Sequence, residues 1–322
     1  MWQEEDMSIP LQLLAMAIFD AVLLHILNTV APKTWQPIKW SLCEAFNQNK
    51  GSKVISILEQ SYADADVIFI QEAAATFVES AKPCLGRRYM ILRPYVLDGF
   101  RNQNSIILAK RGFFEEGSTI DVTDHIIRLA GGGKWIAPGD LCAMTMQGAD
   151  GKRYLLASFH GDTNGKASLP VLRALNEAVT TYYPDHVLIC GMDANTHKRH
   201  SDTTQGFETF NTSFQAIDML SCWGDAPSLN AHWTTRNART YLQPQLQKAV
   251  GIADVAKKGE TNLKDWILFR SNQLESSEEQ RDNTGLREFR EDMVFPTLNF
   301  PSDHAIVSCL CIRVDQIKEG EA

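Results

Sequence analysis

The chain has 322 residues, 44% of them hydrophobic, so it can bury a sizeable core as one large domain or two small ones. Its 31 basic and 39 acidic residues give a net charge of −8, which argues against an extended basic track for gripping duplex nucleic acid. This charge does not exclude a nuclease, since a divalent cation would supply positive charge locally and its acidic ligands add to the negative total.

The seven cysteines are odd in number and have no regular spacing. They indicate reduced and mostly buried thiols, and therefore an intracellular protein of the cytoplasm or nucleus rather than a secreted one. Cys309 and Cys311 alternate on the final predicted strand, where we expect them to pack.

Residues 11–31 form a mostly apolar stretch about long enough to span a bilayer. Asp20 and His25 lie inside it, and an acidic residue near the middle is expensive in lipid. The preceding Glu4-Glu5-Asp6 has the wrong charge for the start of a signal peptide. We predict a helix that lies on the domain or on a partner protein, with association to a membrane surface as the alternative.

Strand and helix patterns alternate along the rest of the chain. The predicted strands, apolar runs bounded by turn residues, are 38–43, 67–72, 104–109, 141–146, 154–159, 186–190, 263–269 and a last strand that follows His304. The predicted helices are 51–62, 73–81 and 168–183. We expect a loop and a short helix over 201–223, and a solvated loop or helix in the charged run 275–292. The pattern predicts a mixed sheet with helices outside.

Four of the predicted strands end in acidic, amide or imidazole side chains. These strand ends are Gln71-Glu72, His160 to Asn164, Asp193 to Asn195, and Asp303-His304. Four strand ends with the same chemistry predict one site, in which carboxylates bind a metal and an imidazole acts as a general base.

The ordered set of Gln71-Glu72, His160, residues 191–195, residues 264–268 and residues 302–304 resembles the endonuclease/exonuclease/phosphatase superfamily, which has the deoxyribonuclease I-like fold. The resemblance extends from about Ile38 to Val314. It implies an α+β protein, a four-layer α/β/β/α sandwich of two mixed β-sheets with outer helices. It also implies hydrolysis of phosphate esters with Mg²⁺ or Mn²⁺. We predict an N-terminal helical extension at 1–34, the family domain at 35–315 and a tail at 316–322.

The resemblance implies a role for each matching residue. Glu72 matches the metal-binding glutamate, and His160 the histidine that contacts the scissile phosphate. Asp193 matches the aspartate that orients or deprotonates the attacking water, and Asn195 the amide that holds a phosphate oxygen. Hard carboxylate oxygens suit Mg²⁺, which keeps its waters and bridges to phosphate.

Three further residues match at the C-terminal end. Asp303 corresponds to the strand-end aspartate near the metal, His304 to the essential imidazole, and Asp265 to the carboxylate that orients it. A carboxylate behind His304 would fix its tautomer and raise its basicity.

Two places depart from the family pattern. The family has an asparagine at the end of the first strand as a metal-site ligand. Here either Glu44 or Asn47 takes that role. Glu44 has the better sequence spacing to Glu72, whereas Asn47 has the right side-chain chemistry. After His160, Asp162 and Asn164 either contact substrate or metal, or form an Asx-type turn.

We predict a divalent-metal-dependent phosphodiesterase, first of all a nuclease that uses in-line water attack. Arg101 and Asn104, on and next to a polar turn, are predicted substrate contacts. Nucleic acid is favoured by basic and aromatic residues near the predicted site loops: Arg101, Lys134, Arg236, Arg239, Trp135 and Trp233. Net acidity and the apolar N-terminus favour a phosphoinositide or sphingolipid phosphoesterase. The third hypothesis is a non-catalytic scaffold that docks through residues 11–31.

Overall fold

The chain divides into two units, Met1–Lys50 and Gly51–Ala322. The computed structural model describes residues 4–43, 49–133, 135–237 and 260–320. The predicted domain limits at 34 and 315 remain predictions.

The N-terminal unit contains α1 (Glu4–Val30) and α2 (Pro32–Cys43). The helix predicted over 11–31 is confirmed and begins earlier, at Glu4. Many of its large apolar side chains are exposed: Leu14, Ile18, Phe19, Val22, Leu24, Ile26 and Val30. Within the described ranges, no helix combines the length and the apolar character that crossing a membrane would require.

The strand predicted over 38–43 is wrong, because these residues continue α2. A short apolar run fits a strand or a helix equally well, and only its surroundings decide between them. Here Pro32 lies at the first helical position, where its missing N–H is not needed. The N–H of Trp35 donates to the carbonyl of Ala31 at 2.8 Å, so the helix is established before the apolar run begins.

The second unit contains all the described strands. These are β1 (Val67–Ala73), β2 (Tyr89–Leu92), β3 (Asn104–Lys110), β4 (Ile120–Asp121), β5 (Leu141–Gln147), β6 (Arg153–His160), β7 (His186–Asp193), β8 (Met219–Ser221), β9 (Thr235–Asn237), β10 (Glu260–Asn262), β11 (Asp265–Arg270), β12 (Leu274–Asp282) and β13 (Ile306–Arg313). Its described helices are α3 (Lys50–Ser61), α4 (Phe77–Leu85), α5 (Thr123–Leu129), α6 (Ser168–Glu177), α7 (Phe207–Gln215), α8 (Leu229–His232) and α9 (Val314–Gly320). A π-helical turn, Ala178–Tyr182, continues α6.

Most of the other predicted elements are confirmed, and two more differ. The helix predicted over 73–81 begins only at Phe77, because β1 continues past a bulge to Ala73. The charged run 275–292 is predicted to be a loop or helix, but its first eight residues belong to β12. Backbone pairing with β13 holds this strand, so it needs no alternating apolar pattern, and most of its charged side chains remain at least partly exposed.

Two sheets form the middle of the second unit. One has the order β1-β3-β2 with antiparallel pairs, and the other has the order β4-β5-β6-β7-β11-β8. The larger sheet is mixed, since β6 and β7 are parallel and the other pairs are antiparallel. β9 pairs with β10, and β12 pairs with β13.

The burial pattern of the strands gives the layer order. Along β3, Ile107 and Ala109 belong to the core between the sheets, whereas Ile106 and Leu108 belong to the core that includes α3 and α4 residues. The larger sheet likewise packs its opposite face against α5, α6 and α7 in a third core. This alternation is what strands buried on both faces require. The predicted four-layer α/β/β/α sandwich is therefore confirmed.

Candidate active site

Three neighbouring strands of the larger sheet carry polar side chains at the same edge. β6 and β7 run parallel with His160 opposite Asp193, and β11 runs antiparallel to β7 with Asp265 opposite Asp193. Residues opposite each other on paired strands point to the same face. The structure thus brings together His160, Asp193 and Asp265.

His304 joins this row from the turn before β13. Its Nδ1 lies 3.0 and 2.9 Å from the two carboxylate oxygens of Asp265. A carboxylate accepts hydrogen bonds, so Nδ1 carries a proton and donates it to Asp265. The other ring nitrogen, Nε2, lies 3.8 Å from Oδ2 of Asp193. The pair therefore directs Nε2 of His304 toward the buried carboxylate of Asp193.

The charges of this group are strongly linked. Burial alone lowers the pKa of His304, but the carboxylates of Asp265 and Asp193 outweigh it and raise the pKa to about 10. Burial raises the pKa of Asp193, and the nearby imidazoles partly offset that rise. The arrangement favours a protonated His304 beside an ionised Asp265, so a proton is held next to Asp193.

Asn195 lies just after β7, in a left-handed conformation with φ of 48°. Its backbone N–H donates to Oδ1 of Asp193 at 2.8 Å, and its Nδ2 donates to the carbonyl of Gly161 at 2.8 Å. Nδ2 also lies 3.4 Å from Nε2 of His160. Asparagine adopts positive φ more readily than most residues, which allows the chain to turn back here and present the amide to the site.

Lys264 is a site residue that the sequence did not single out. Its Nζ donates to Oδ1 of Asn195 at 2.7 Å, and its charge lowers the pKa of Asp193. Lys264 directly precedes Asp265. Its side chain can contact Asn195 because β11 pairs with β7 in this register. The only sequence signal was a lysine immediately before the matched aspartate.

Glu72 approaches from the smaller sheet. It lies at the β1 bulge with φ of 55°, and its Oε1 is 3.5 Å from Nε2 of His160. Its carboxylate is half-exposed, with 43% of the side chain accessible. Next to it, Nε2 of Gln71 donates to Oγ of Ser158 at 2.9 Å, which ties the two sheets together at this end.

Ligand atoms for a cation are available at two places. One ligand atom each from Asp193, Asp265 and His304 lie within 4.8 Å of one another. Both oxygens of Asp265 already face Nδ1 of His304, however, so this trio is better suited to proton transfer than to binding Mg²⁺. Mg²⁺ is held by one or two carboxylates and keeps several waters. The half-exposed Glu72 fits that requirement.

Asp303, Glu44 and Asn47 are the other predicted metal ligands. Asp303 is exposed on the turn beside His304, where its charge contributes to the raised pKa of that histidine. Glu44 and Asn47 lie outside the described residues. The metal roles predicted for these three residues remain predictions.

The predicted substrate contacts divide into two kinds. The carboxylate of Asp162 accepts from the N–H groups of Ala167 and Asn164 at 2.7 and 3.2 Å. Of the two alternatives given for Asp162 and Asn164, this arrangement corresponds to the Asx-type turn. Asn104 is fully buried, and its amide bonds to backbone groups of Ala73 and Asp98.

Among the predicted basic and aromatic contacts, Arg101 is paired with Asp98 and Asp140. Trp233 is 5% exposed and packs against Phe289 and Phe295, so the stacking role expected for it is wrong. Trp135 is 55% exposed. Lys134 and Arg239 lie outside the described residues, and Arg236 lies over the Trp233 ring.

The layers and the strand-end site define a deoxyribonuclease I-like fold, and solved structures share it. The catalytic domain of human Nocturnin with bound sulfate is 13% identical over 85% of this chain and 89% of its own, with a TM-score of 0.52. TDP2 from D. rerio, solved with a single-strand DNA product, is 13% identical over 82% and 92%, with a TM-score of 0.51. An endonuclease/exonuclease/phosphatase family protein from Bacteroides thetaiotaomicron is 16% identical over 81% and 88%, with a TM-score of 0.50.

The predicted resemblance is therefore confirmed as a shared fold. Residues 1–40 match a family model described as "Domain of unknown function (DUF8234)". No curated protein matches the sequence significantly.

Proposed function

We propose that this chain is a divalent-metal-dependent phosphodiesterase that acts on nucleic acid. The observation that carries the proposal is the row of His160, Asp193 and Asp265 in register on three strands, with His304 bonded to Asp265. A buried carboxylate between two imidazoles is suited to moving a proton to or from water.

Asp193 is the residue that holds and deprotonates the attacking water. Its Oδ1 is occupied by the N–H of Asn195, whereas Oδ2 lies 3.7 and 3.8 Å from the Nε2 atoms of His160 and His304. Burial raises its pKa and so increases its basicity. The water oxygen forms a bond to phosphorus as the opposite P–O bond breaks, its proton passes to Asp193, and the leaving oxygen takes up a proton from the solvent.

Three donors are available for the charge that develops on the phosphate. These are the ring of His160, Nδ2 of Asn195, and the ammonium group of Lys264 beyond it. Removing one preorganised donor of this kind typically costs about 10²- to 10³-fold in rate.

Glu72 would hold the divalent cation, and Asp303, Glu44 and Asn47 remain the other predicted ligands. A bound Mg²⁺ or Mn²⁺ supplies Lewis-acid stabilisation of a phosphate oxygen. The exposed position of Glu72 at the edge of the site leaves room for the waters that Mg²⁺ retains.

Hydrolysis of bis(p-nitrophenyl) phosphate, single-stranded DNA and RNA, with Mg²⁺ or Mn²⁺ and with EDTA, tests the proposal. We expect EDTA-sensitive turnover that His304→Ala and Asp193→Ala abolish. Full activity in either variant would contradict the assignment of this site. Absence of turnover on every substrate would favour the scaffold hypothesis.

A lipid phosphoesterase is the second candidate, because α1 exposes many apolar side chains. The same helix carries four acidic residues and no lysine or arginine, whereas helices that lie on anionic membranes are rich in basic residues. Nucleic acid therefore remains the first candidate. A phosphoinositide and sphingomyelin in the same assay, with and without residues 1–34, distinguish the two.

A further inference from the structure

The loop between β2 and β3, residues 93–103, exposes two aromatic rings at the edge of the molecule. The side chain of Phe100 is 96% exposed, and that of Tyr95 is 90% exposed. We call this segment the rim loop. Phe100 does not belong to the core, so its ring has no evident role in stability.

The rim loop holds Phe100 in a fixed backbone conformation. Oδ1 of Asp98 accepts from the N–H groups of Phe100 and Arg101 at 2.8 and 2.9 Å. The N–H of Asp98 in turn donates to the buried Asn104 at 2.7 Å. Arg101 donates to the carboxylate of Asp140 at 2.9 Å. An aromatic side chain on such a support loses little entropy when it binds a ligand.

The loop is attached on both sides to residues next to the candidate active site. Asn104 pairs with Ala73, which directly follows Glu72, and Oδ1 of Asn102 accepts from the N–H of Ala75 at 3.1 Å. On the other side, the carbonyl of Asp140, the partner of Arg101, accepts from the N–H of His160 at 2.9 Å. Phe100 lies four positions before Asn104 in the chain, so their Cα atoms are at most about 14 Å apart.

We propose that Phe100 is a stacking site for a nucleobase of a single-stranded nucleic acid whose scissile phosphate lies at His160 and Asn195. This inference rests on the proposed function and names the form of its substrate. An exposed aromatic face stacks with any base, and this interaction does not require positive charge. It therefore suits a chain whose net charge is −8.

The charges of the loop favour a base over a lipid surface. The guanidinium of Arg101 is paired with Asp98 and Asp140, and Asp121 accepts from the N–H of Tyr95 at 3.1 Å. A segment that enters an anionic membrane gains affinity from unpaired basic residues around its apolar side chains. Arg101, the basic residue next to Phe100, is held by acidic partners instead.

The test compares Phe100→Ala and Phe100→Trp with the natural protein on two substrates. For a short single-stranded oligodeoxynucleotide we expect Phe100→Ala to raise KM by about 10- to 100-fold, in line with the loss of one stacked base. Phe100→Trp should keep KM near the natural value. Turnover of bis(p-nitrophenyl) phosphate, which has no base, should be the same in all three proteins.

Leu286→Ala is the matched control. Leu286 is also strongly exposed, at 68%. The carbonyl of the adjacent Gly285 accepts from Oγ of Ser61, which shortly precedes β1 in the chain, whereas Glu72 lies near the other end of that strand. Its removal should change neither reaction. An unchanged oligonucleotide KM in Phe100→Ala would overturn the proposal.

A binding measurement separates this proposal from the proposed catalytic function. In EDTA, where turnover is not expected, stacking on Phe100 should quench the fluorescence of 2-aminopurine in the same oligonucleotide, and Phe100→Ala should abolish the quenching. Quenching without any hydrolysis would uphold the stacking site and contradict the catalytic proposal. The opposite result is that Phe100→Ala loses binding to vesicles of phosphatidylcholine and phosphatidylinositol but quenches the oligonucleotide as the natural protein does. It would show that the ring contacts lipid and would overturn the stacking proposal.

Discussion

Nζ of Lys264 donates a hydrogen bond to Oδ1 of Asn195 at 2.7 Å. Lysine can only donate, and the carbonyl of Gly161, which Nδ2 of Asn195 faces, can only accept. Together these partners fix which way the amide points. Nδ2 is consequently directed toward His160 and the position proposed for the phosphate.

Replacing Lys264 should therefore impair the reaction without unfolding the protein. For Lys264→Met we expect kcat for bis(p-nitrophenyl) phosphate to fall by about 10- to 100-fold, because the Asn195 amide loses its orientation and the site loses a positive charge. Lys264→Arg keeps a donor and a charge and should recover part of the rate. Lys166→Met is the control, since Lys166 is half-exposed and bonds only to the carbonyl of Ser201. Equal rates in Lys264→Met and in the natural protein would exclude this role of Lys264.

The pairing of Asp265 with His304 can be measured directly. Asp265→Asn removes the negative charge that favours the imidazolium, so the pKa of His304 should fall from about 10 toward its ordinary value of 6.5. Titration of the histidine C2–H resonances by NMR, with His304→Ala to assign the signal, measures this shift. We expect kcat to fall by about 10²- to 10⁴-fold.

Asp303→Asn provides the comparison for that titration. Asp303 is exposed and its charge acts on His304 more weakly than those of Asp265 and Asp193, so its replacement should move the pKa much less. A larger shift in Asp303→Asn than in Asp265→Asn would refute the assignment of the pair.

Much of this arrangement could be predicted because the relevant side chains follow apolar strands. The ends of β6 and β7 are visible in the sequence, so His160 and Asp193 could be assigned to one edge. Lys264 could not, because its partner is set by the pairing of β11 with β7, which no local pattern encodes. The function of a side chain that reaches across strands depends on register.

Two of the errors in the fold have the same origin. The run 38–43 is apolar enough for a strand, but the helix that begins at Pro32 continues through it. β12 is polar enough for a loop, but the neighbouring β13 pairs with its backbone. In both cases context outside the segment overrides its composition.

Stability should depend on Asp282, a buried carboxylate that does not belong to the row of His160, Asp193 and Asp265. Asp282 is 1% exposed and accepts from the hydroxyl of Tyr62 at 2.7 Å and from N–H groups of Thr284, Gly285 and Arg287. Burial alone would raise its pKa, but these hydrogen bonds outweigh burial and lower it below 3.8. We expect Asp282→Asn to reduce the free energy of unfolding by about 2–4 kcal/mol at pH 7.

The pH dependence of that difference follows from the lowered pKa. The ionised carboxylate contributes its full stability above its unfolded pKa of 3.8, and the contribution is lost as the pH falls through the lower folded value. Urea unfolding from pH 8 to pH 3 should thus show a constant difference at neutral pH that shrinks in acid. Asp202→Asn, at an exposed carboxylate, is the control. A difference that grows as the pH falls would contradict this account.

The two sheets lie close together where Gly191 of β7 faces Phe69 of β1. A Cβ at Gly191 would lie 2.4–2.6 Å from three atoms of the Phe69 side chain, which is far inside van der Waals contact. Gly191→Ala should therefore reduce the free energy of unfolding by about 1–3 kcal/mol through overpacking. In Gly51→Ala the new Cβ meets no atom within 4 Å, so this variant should be neutral or slightly stabilising.

A double variant tests the cause of that loss. Phe69→Ala removes the ring that the new methyl group would meet, so Gly191→Ala should cost much less in its presence than in the natural protein. Urea unfolding of the two single variants and the double variant measures this coupling. Additive losses would mean that Gly191 is required for a reason other than its approach to Phe69, such as the geometry of the β7 end that carries Asp193.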